Sequence, residues 1–309
     1  MKIFAIIVTY NGMRDEWIPK CIGSLRQYAE NVQVVAIDNG SADGAVEFIK
    51  REFPQVKVFE NGKNLGFGGA NNIGIRYALE QGADFVLLLN QDAWLIRQNT
   101  VNELVRICSE NPEFGIISPV HLNKAQNSIE KLLLKRFVLL NKVGNWCEIN
   151  TELVNDLYFK TLKDIYATKY VNAAAWFIPR ATLETLGGFD PTFFHYGEDD
   201  NYLNRLFYNG LQLGICPKLS LVHDNERPRP LYESREQEVL WLIEFTNINK
   251  KINIEKEIKN CRQKIFTNTL KMNKKRANYW RELLAFLQKN KAAILESRKT
   301  NMKKGKNWL

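Results

Sequence analysis

The chain has 309 residues, 45% hydrophobic and 25% charged, which suits one large α/β domain with an appendage, or two small domains. It holds no run near the ~20 apolar residues of a membrane-spanning helix, and its N-terminal apolar run is too short for a secretory signal and lacks a small-residue cleavage site. The net charge of +9 sits at one end: residues 250–309 carry 18 Lys or Arg against four Glu, leaving the first 249 residues mildly acidic.

In chain order, residues 2–9 read as a buried strand and 16–29 as a helix, with Trp17, Cys21, Leu25 and Tyr28 recurring at three to four residues. A strand at 32–38, a helix near 43–52 and a strand at 56–60 follow. Ala70 to Gln81 reads as a helix closed by Gly82. Residues 84–90 (DFVLLLN) form the clearest buried strand; a helix near 99–110 and a strand at 115–119 come next. Residues 121–168 are less regular and read as an excursion or a lid. The α/β pattern resumes with 169–179, helices near 180–187 and 200–209, and a last strand-like run, LQLGICP. From about Leu231 the chain reads as Lys- and Asn-rich helices. Alternating strands and helices predict a mainly parallel sheet with right-handed crossovers, whose ligand lies beyond the carboxyl ends of the strands. Five cysteines (21, 108, 147, 216 and 261) have neither metal nor redox spacing, and read as reduced structural thiols of a cytoplasmic protein.

Three polar clusters leave the strands on that edge: Thr9-Tyr10-Asn11-Gly12, Asp38-Asn39-Gly40-Ser41 and Asn90-Gln91-Asp92. Each alone is also what a tight turn before a helix looks like. Together they describe a nucleotide-diphosphate site: Asp38 accepts from the imide N–H of uracil or thymine, and Asp92 offers a carboxylate to Mg²⁺ or Mn²⁺. The stretch from Asn64 through Gly66, Gly68 and Gly69 to Asn71 and Asn72 brings backbone close to a ligand and opens a helix whose amides face an anion. It is neither a dinucleotide fingerprint nor a Walker loop. His195-Tyr196-Gly197-Glu198-Asp199-Asp200 sets three acids before a helix; capping explains one or two, and a carboxylate there can serve as general base. His223 is read either as structural or as a metal or diphosphate contact.

The order VTYN, DNGS, NLGFGGANNIG, LLLNQDA and GGFDPTFFHYGEDDNYLNR resembles family 2 glycosyltransferases, most of all the bacterial rhamnosyltransferase-like branch, over about residues 1–225. The resemblance implies a Rossmann-like GT-A nucleotide-diphospho-sugar transferase fold with a mixed, mainly parallel sheet, a divalent metal and inversion at the anomeric carbon. It implies a catalytic domain at 1–230 (nucleotide half about 1–120, acceptor half about 121–230) and a basic helical extension at 231–309. Thr9, Tyr10, Asn11, Asp38, Asn39, Asn64, Gly68, Asn71, Asn90 and Gln91 would line the nucleotide pocket. Asp92 and His223 would hold Mg²⁺ or Mn²⁺. Asp199 would be the base, supported by Glu198, with Trp176, Tyr196 and Arg205 on the acceptor side. Asn90, Gln91 and Asn201 depart from the commonest family motifs.

In the tail, Trp280, Leu283, Leu284, Leu287, Ile294 and Leu295 recur at helical spacing among lysines. Such a helix either lies on an anionic membrane or docks on the catalytic domain or a partner chain. The expected partners are a nucleotide-sugar donor, a glycan or lipid-linked acceptor and a membrane surface at the inner face of the plasma membrane; a homodimer is compatible, and nucleic acid is excluded for want of a motif. Two other readings stay open: a sugar nucleotidyltransferase, though the Gly-rich basic loop it needs after the first strand is missing, and a non-catalytic nucleotide-sugar-binding scaffold of a polysaccharide assembly complex.

Overall fold

The computed structural model describes residues 1–29, 31–131, 133, 151–225 and 230–309. Cys147 and the middle of the irregular stretch expected at 121–168 lie outside the described residues. The first half runs β1 (Ile3–Thr9), α1 (Trp17–Tyr28), β2 (Val32–Asp38), α2 (Ala45–Glu52), β3 (Lys57–Glu60), α3 (Gly66–Glu80), β4 (Phe85–Leu89), β5 (Ala93–Leu95), α4 (Thr100–Glu110) and β6 (Phe114–Leu122). After it come α5 (Thr151–Phe159), β7 (Tyr166–Thr168), β8 (Ala175–Pro179), α6 (Arg180–Leu186), α7 (Glu198–Tyr208) and β9 (Gln212–His223), then α8 (Pro230–Thr246), α9 (Ile254–Leu270) and α10 (Lys274–Asn301).

The strands form one sheet in the order β3-β2-β1-β4-β8-β6-β9-β5, with β7 also on β9. The first four are mutually parallel; β8 lies antiparallel between β4 and β6, and β9 returns parallel to β6. This is the mixed, mainly parallel sheet expected. Its central strands are apolar throughout because helices cover both faces. Along β1, Phe4 and Ile6 face one buried cluster with Ile75, Trp176, Phe189 and Tyr202, while Ile3, Ala5 and Ile7 face another with Ile18, Leu25 and Leu104. Cys21, Cys108, Cys216 and Cys261 are buried free thiols, and burial pushes the Cys21 and Cys108 thiols upward, the latter to about 11, so both stay protonated and inert.

The tail is docked. Leu283, Leu287 and Ile294 of α10 bury against Trp241, Phe245, Ile254 and Ile258, so of the two expected roles of the apolar stripe these residues take the docked one, facing α8 and α9. Asp190, wholly buried, accepts from Ser297 Oγ at 2.6 Å and Asn301 Nδ2 at 2.7 Å. Beyond α10, Gly188 N donates to Asn307 O at 2.8 Å. Gly187 has φ +73°, and a Cβ there would fall 2.0 Å from Asn307 O, so only glycine admits the chain end. Among the described residues no helix is long and apolar enough to cross a membrane. Asp190→Ala takes the carboxylate acceptor from Ser297 Oγ, Asn301 Nδ2 and Thr192 N, leaving Asn301 only its 3.1 Å bond to Ser297 Oγ, and is expected to destabilise the protein by about 3 kcal/mol. A lower melting temperature with faster proteolysis within 250–309 checks this; unchanged melting would refute the docking role.

Candidate active site

The ends of β1 and β2 are joined by Asp38. Its carboxylate is 3% exposed and accepts from Thr9 Oγ1, Gly40 N and Ser41 N, each at 3.0 Å, and from Ser41 Oγ. Both oxygens are thus engaged within the loop, and a base N–H reaches Asp38 only if a hydroxyl turns away. Asn39 is also inward: its amide bonds Gly66 O at 3.1 Å and Asn64 Oδ1 at 3.3 Å and accepts from Asn61 Nδ2 at 3.0 Å. Tyr10, 47% exposed, Asn11 and Asn64 remain accessible on this edge.

At the end of β4, Gln91 clamps the backbone of Tyr10 in both directions, Oε1 accepting from Tyr10 N at 2.9 Å and Nε2 donating to Tyr10 O at 3.0 Å. The next residue, Asp92, is presented by β5. That strand pairs antiparallel with the end of β9, setting Ala93 opposite His223. Asp92 Oδ1 therefore lies 3.5 Å from His223 Nε2. On the other ring nitrogen, Nδ1, His223 faces Glu130 Oε2 at 3.5 Å. Glu130 is 4% exposed and held by Asn225 Nδ2 at 2.8 Å and Asn172 Nδ2 at 3.3 Å. His121, wholly buried, completes a His121–Glu130–His223 group whose candidate ligand atoms lie within 4.8 Å of one another. Burial opposes charge on His223, but Asp92 and Glu130 outweigh it and lift the imidazole to about 9. Burial, reinforced by His223, lowers His121 to about 3, so the two rings divide into one cationic and one neutral. Glu130, though buried, is drawn down to about 2, chiefly by His223.

A divalent cation fits this corner. Asp92 supplies a carboxylate oxygen, and His223 supplies Nε2 once the ion displaces the proton this nitrogen carries in the metal-free protein, a donor set suited to Mn²⁺; ligands ~2.1 Å from one ion sit ~3 Å apart, close to the 3.5 Å between the two groups. Asn90 Oδ1, buried without a hydrogen-bond partner, lies two residues away. Glu130 orients His223 from behind, as carboxylates commonly do for metal-binding imidazoles.

Across the cleft, α3 begins at Gly66, earlier than predicted. Gly66 has φ +76°, and a Cβ there would lie 1.8 Å from Phe194 O, so the glycine-rich turn packs directly against the 189–198 loop. A Cβ at Gly68 would lie 2.8 Å from that of Phe189 and 3.8 Å from that of Glu198, and Asn72 clamps the backbone of Phe189 through both amide atoms, at 2.7 and 2.8 Å. The acids sit at the start of α7. Asp199 is half-buried; its Oδ2 accepts from Tyr170 Oη at 2.9 Å and its Oδ1 from Asp200 N at 2.9 Å. Glu198 is 5% exposed, and burial, with Asp199 adding to it, raises its carboxyl from 4.5 to about 8. The folded protein therefore binds this proton more tightly than the unfolded chain. The contribution is complete below pH 4.5 and is lost as pH rises toward 8. Glu198→Gln is expected to remove a few kcal/mol of pH-dependent stability across that window. Denaturant unfolding of both proteins at several pH values checks this: the stability difference should move in the variant's favour as pH rises, and a constant difference would refute it.

Several expected ligand-facing residues serve the scaffold instead. Trp176 is wholly buried, stacks on Phe189 and donates to Val171 O, so it cannot meet an acceptor. Arg205 is 1% exposed; its guanidinium packs on Tyr202 and donates to Leu186 O at 2.8 Å and Gly188 O at 2.6 Å, fixing the Gly187–Gly188 turn. Asn71, 1% exposed, returns its amide to Phe67 O one helical turn earlier. Asn39, Gly68 and Gln91 likewise shape the loops. Glu130 and His121 were missed. His121 lies on β6 toward its carboxyl end and was findable by the strand-end rule; Glu130 had no sequence signal.

One short segment joins the two halves of the cleft. Tyr170 holds Asp199, Asn172 holds Glu130 behind His223, and Ala174 O accepts from Asn90 N two residues before Asp92. Five residues span at most ~18 Å, so one short stretch contacts both Asp199 and the residues that flank the Asp92–His223 pair.

The family model for glycosyl transferase family 2 matches residues 4–162. Among curated relatives, the low-salt glycan biosynthesis hexosyltransferase Agl10 of Haloferax volcanii is 24% identical over 233 residues, 75% of this chain and 70% of its own length. The dTDP-rhamnosyl transferase RfbF of Shigella flexneri is 23% identical over 223 residues, covering 72% of this chain and 69% of its own. Among solved structures, the mannosyltransferase PcManGT of Pyrobaculum calidifontis, in complex with GDP-Man and Mn²⁺, superposes with a TM-score of 0.56 at 18% identity, over 82% of this chain and 65% of its own.

Proposed function

Since the chain belongs to glycosyl transferase family 2 and has the GT-A fold, we propose that this glycosyltransferase is metal-assisted and inverting. In this reading it moves a sugar from a UDP- or dTDP-linked donor, dTDP-rhamnose among them, to a hydroxyl of a glycan or lipid-linked glycan in bacterial surface polysaccharide synthesis. The catalytic unit is residues 1–230, and 231–309 is its docked helical extension. The observation that carries the reading is the 170–174 segment, which ties a half-exposed carboxylate to the carboxylate–imidazole pair of the opposite wall.

Asp199 takes the proton from the acceptor hydroxyl as that oxygen attacks the anomeric carbon opposite the leaving diphosphate. Tyr170 and Asp200 N each occupy one lone pair of its carboxylate, fixing its plane and leaving acceptor capacity for the substrate proton. Glu198 stays protonated at neutral pH, so it does not crowd Asp199 with a second charge. A divalent cation held by Asp92 and His223 supplies, when bound, positive charge against the departing diphosphate. Tyr10, Asn11 and Asn64 line the nucleoside side. One base suffices, unlike a glycoside hydrolase, where two carboxylates flank the bond.

The test is Mn²⁺-dependent release of nucleoside diphosphate from a panel of UDP- and dTDP-sugars supplied with a polyprenyl-diphosphate-linked glycan. Turnover of at least one donor is expected. Donor binding without release across the panel would favour a non-catalytic nucleotide-sugar scaffold.

A further inference from the structure

The α9–α10 hairpin ends in a surface that glycosyl transfer does not use. From Lys259 to Arg281 the chain carries eight Lys or Arg and no Asp or Glu. All eight are exposed, and none is in an ion pair among the described residues. Set among them are three large apolar side chains in solvent: Phe266 at 66%, Leu270 at 68% and Met272 at 88%. Phe266 and Leu270 are four residues apart and share one face of α9. Met272 lies in the turn, with φ 52°. Tyr279, 40% exposed, begins the return helix with its ring against Trp280. These side chains are distinct from the inward stripe of Leu283, Leu287 and Ile294.

The arm that carries this tip is firmly held. Ser297 and Asn301 of α10 bind buried Asp190, and Arg298 donates to the carbonyls of Phe245, Asn247 and Lys250. From Lys274 to Ser297 the helix rises about 35 Å. The tip is therefore presented at the end of a stiff rod fixed to the catalytic domain.

We propose that the hairpin tip docks on an anionic phospholipid bilayer, with Phe266, Leu270 and Met272 entering the headgroup boundary while the surrounding lysines and arginines meet lipid phosphates. Charge complementarity selects the partner, and the apolar side chains select a bilayer over a polyanion in water. Duplex nucleic acid engages cations through its phosphates and would leave the three apolar side chains solvated. A bilayer satisfies both at once. The inference stands apart from the transferase reading, since none of these residues touches the cleft chemistry.

Sedimentation of the full-length protein with phosphatidylglycerol/phosphatidylcholine vesicles, against phosphatidylcholine alone, tests it. Binding to the anionic vesicles alone is expected. Lys271→Ser/Lys274→Ser/Lys275→Ser should lower partitioning roughly 100-fold. Phe266→Ser/Leu270→Ser/Met272→Ser should leave purely electrostatic binding that vanishes at about 0.5 M NaCl, where the wild type retains part of its own. Circular dichroism melting of each variant confirms folding. Equal pelleting with neutral vesicles, unchanged pelleting of both triple variants, or retention on duplex DNA without any on anionic vesicles would each overturn the proposal.

Discussion

Asp199→Asn is expected to slow acceptor-dependent release of nucleoside diphosphate by about 10²–10⁴-fold, the range over which positioned general bases act. Donor affinity should change little. The carboxamide nearly matches the carboxylate in shape and can keep one oxygen as acceptor for Tyr170, which donates to Oδ2 at 2.9 Å. What it loses is the capacity to take a proton. The comparison that isolates this is kcat against KM: kcat falls, while KM for the donor and the melting-temperature shift induced by nucleotide sugar stay near wild type. Tyr170→Phe is the graded companion. It removes one donor to Asp199 and should cost about tenfold or less, with the pH-rate profile displaced, because Tyr170 positions the base without touching substrate. A wild-type rate for Asp199→Asn would move the base elsewhere, and Glu198, protonated up to about pH 8, would be a poor replacement at neutral pH.

The parts of the fold that were legible are those where periodicity is long. β1 and β4, and β2 from Val34 to Ile37, are apolar runs because both faces of the sheet are covered there. α1 and α4 repeat their apolar positions at helical spacing. β5 and β7 have three residues each and leave no periodic trace. That gap matters for the site, because the β5–β9 pairing brings Asp92 to His223. The sequence named both residues as metal ligands but offered no reason for their meeting. Polar side chains were over-read in the opposite sense. Asn39, Asn71, Gln91 and Arg205 looked ligand-facing because polar groups at strand ends and motif positions usually are. Here they satisfy backbone groups in buried loops, which carry the same demand for hydrogen bonds. Trp176 failed for a simpler reason: it belongs to β8, a central strand whose side chains alternate between two covered faces.

Asp92 and His223 invite a test that does not depend on either single variant alone. Asp92→Asn and His223→Gln should each lower kcat/KM by about 10²–10³-fold, the scale on which loss of one electrostatic stabiliser of a transition state is felt. Glutamine is chosen over alanine so that buried Glu130 keeps a hydrogen-bond donor rather than an unpaired charge. If both side chains serve one cation, removing the second adds little once the first is gone, and the double variant should fall no more than about tenfold below the weaker single variant. Electron paramagnetic resonance of Mn²⁺ gives a readout free of turnover: the bound signal of the wild type with nucleoside diphosphate should be lost in all three variants alike. Independent contributions would instead multiply, taking the double variant down about 10⁴–10⁶-fold. That result, or full Mn²⁺ binding by Asp92→Asn, would separate the carboxylate from the imidazole despite the 3.5 Å between them and leave His223 as a structural partner of Glu130.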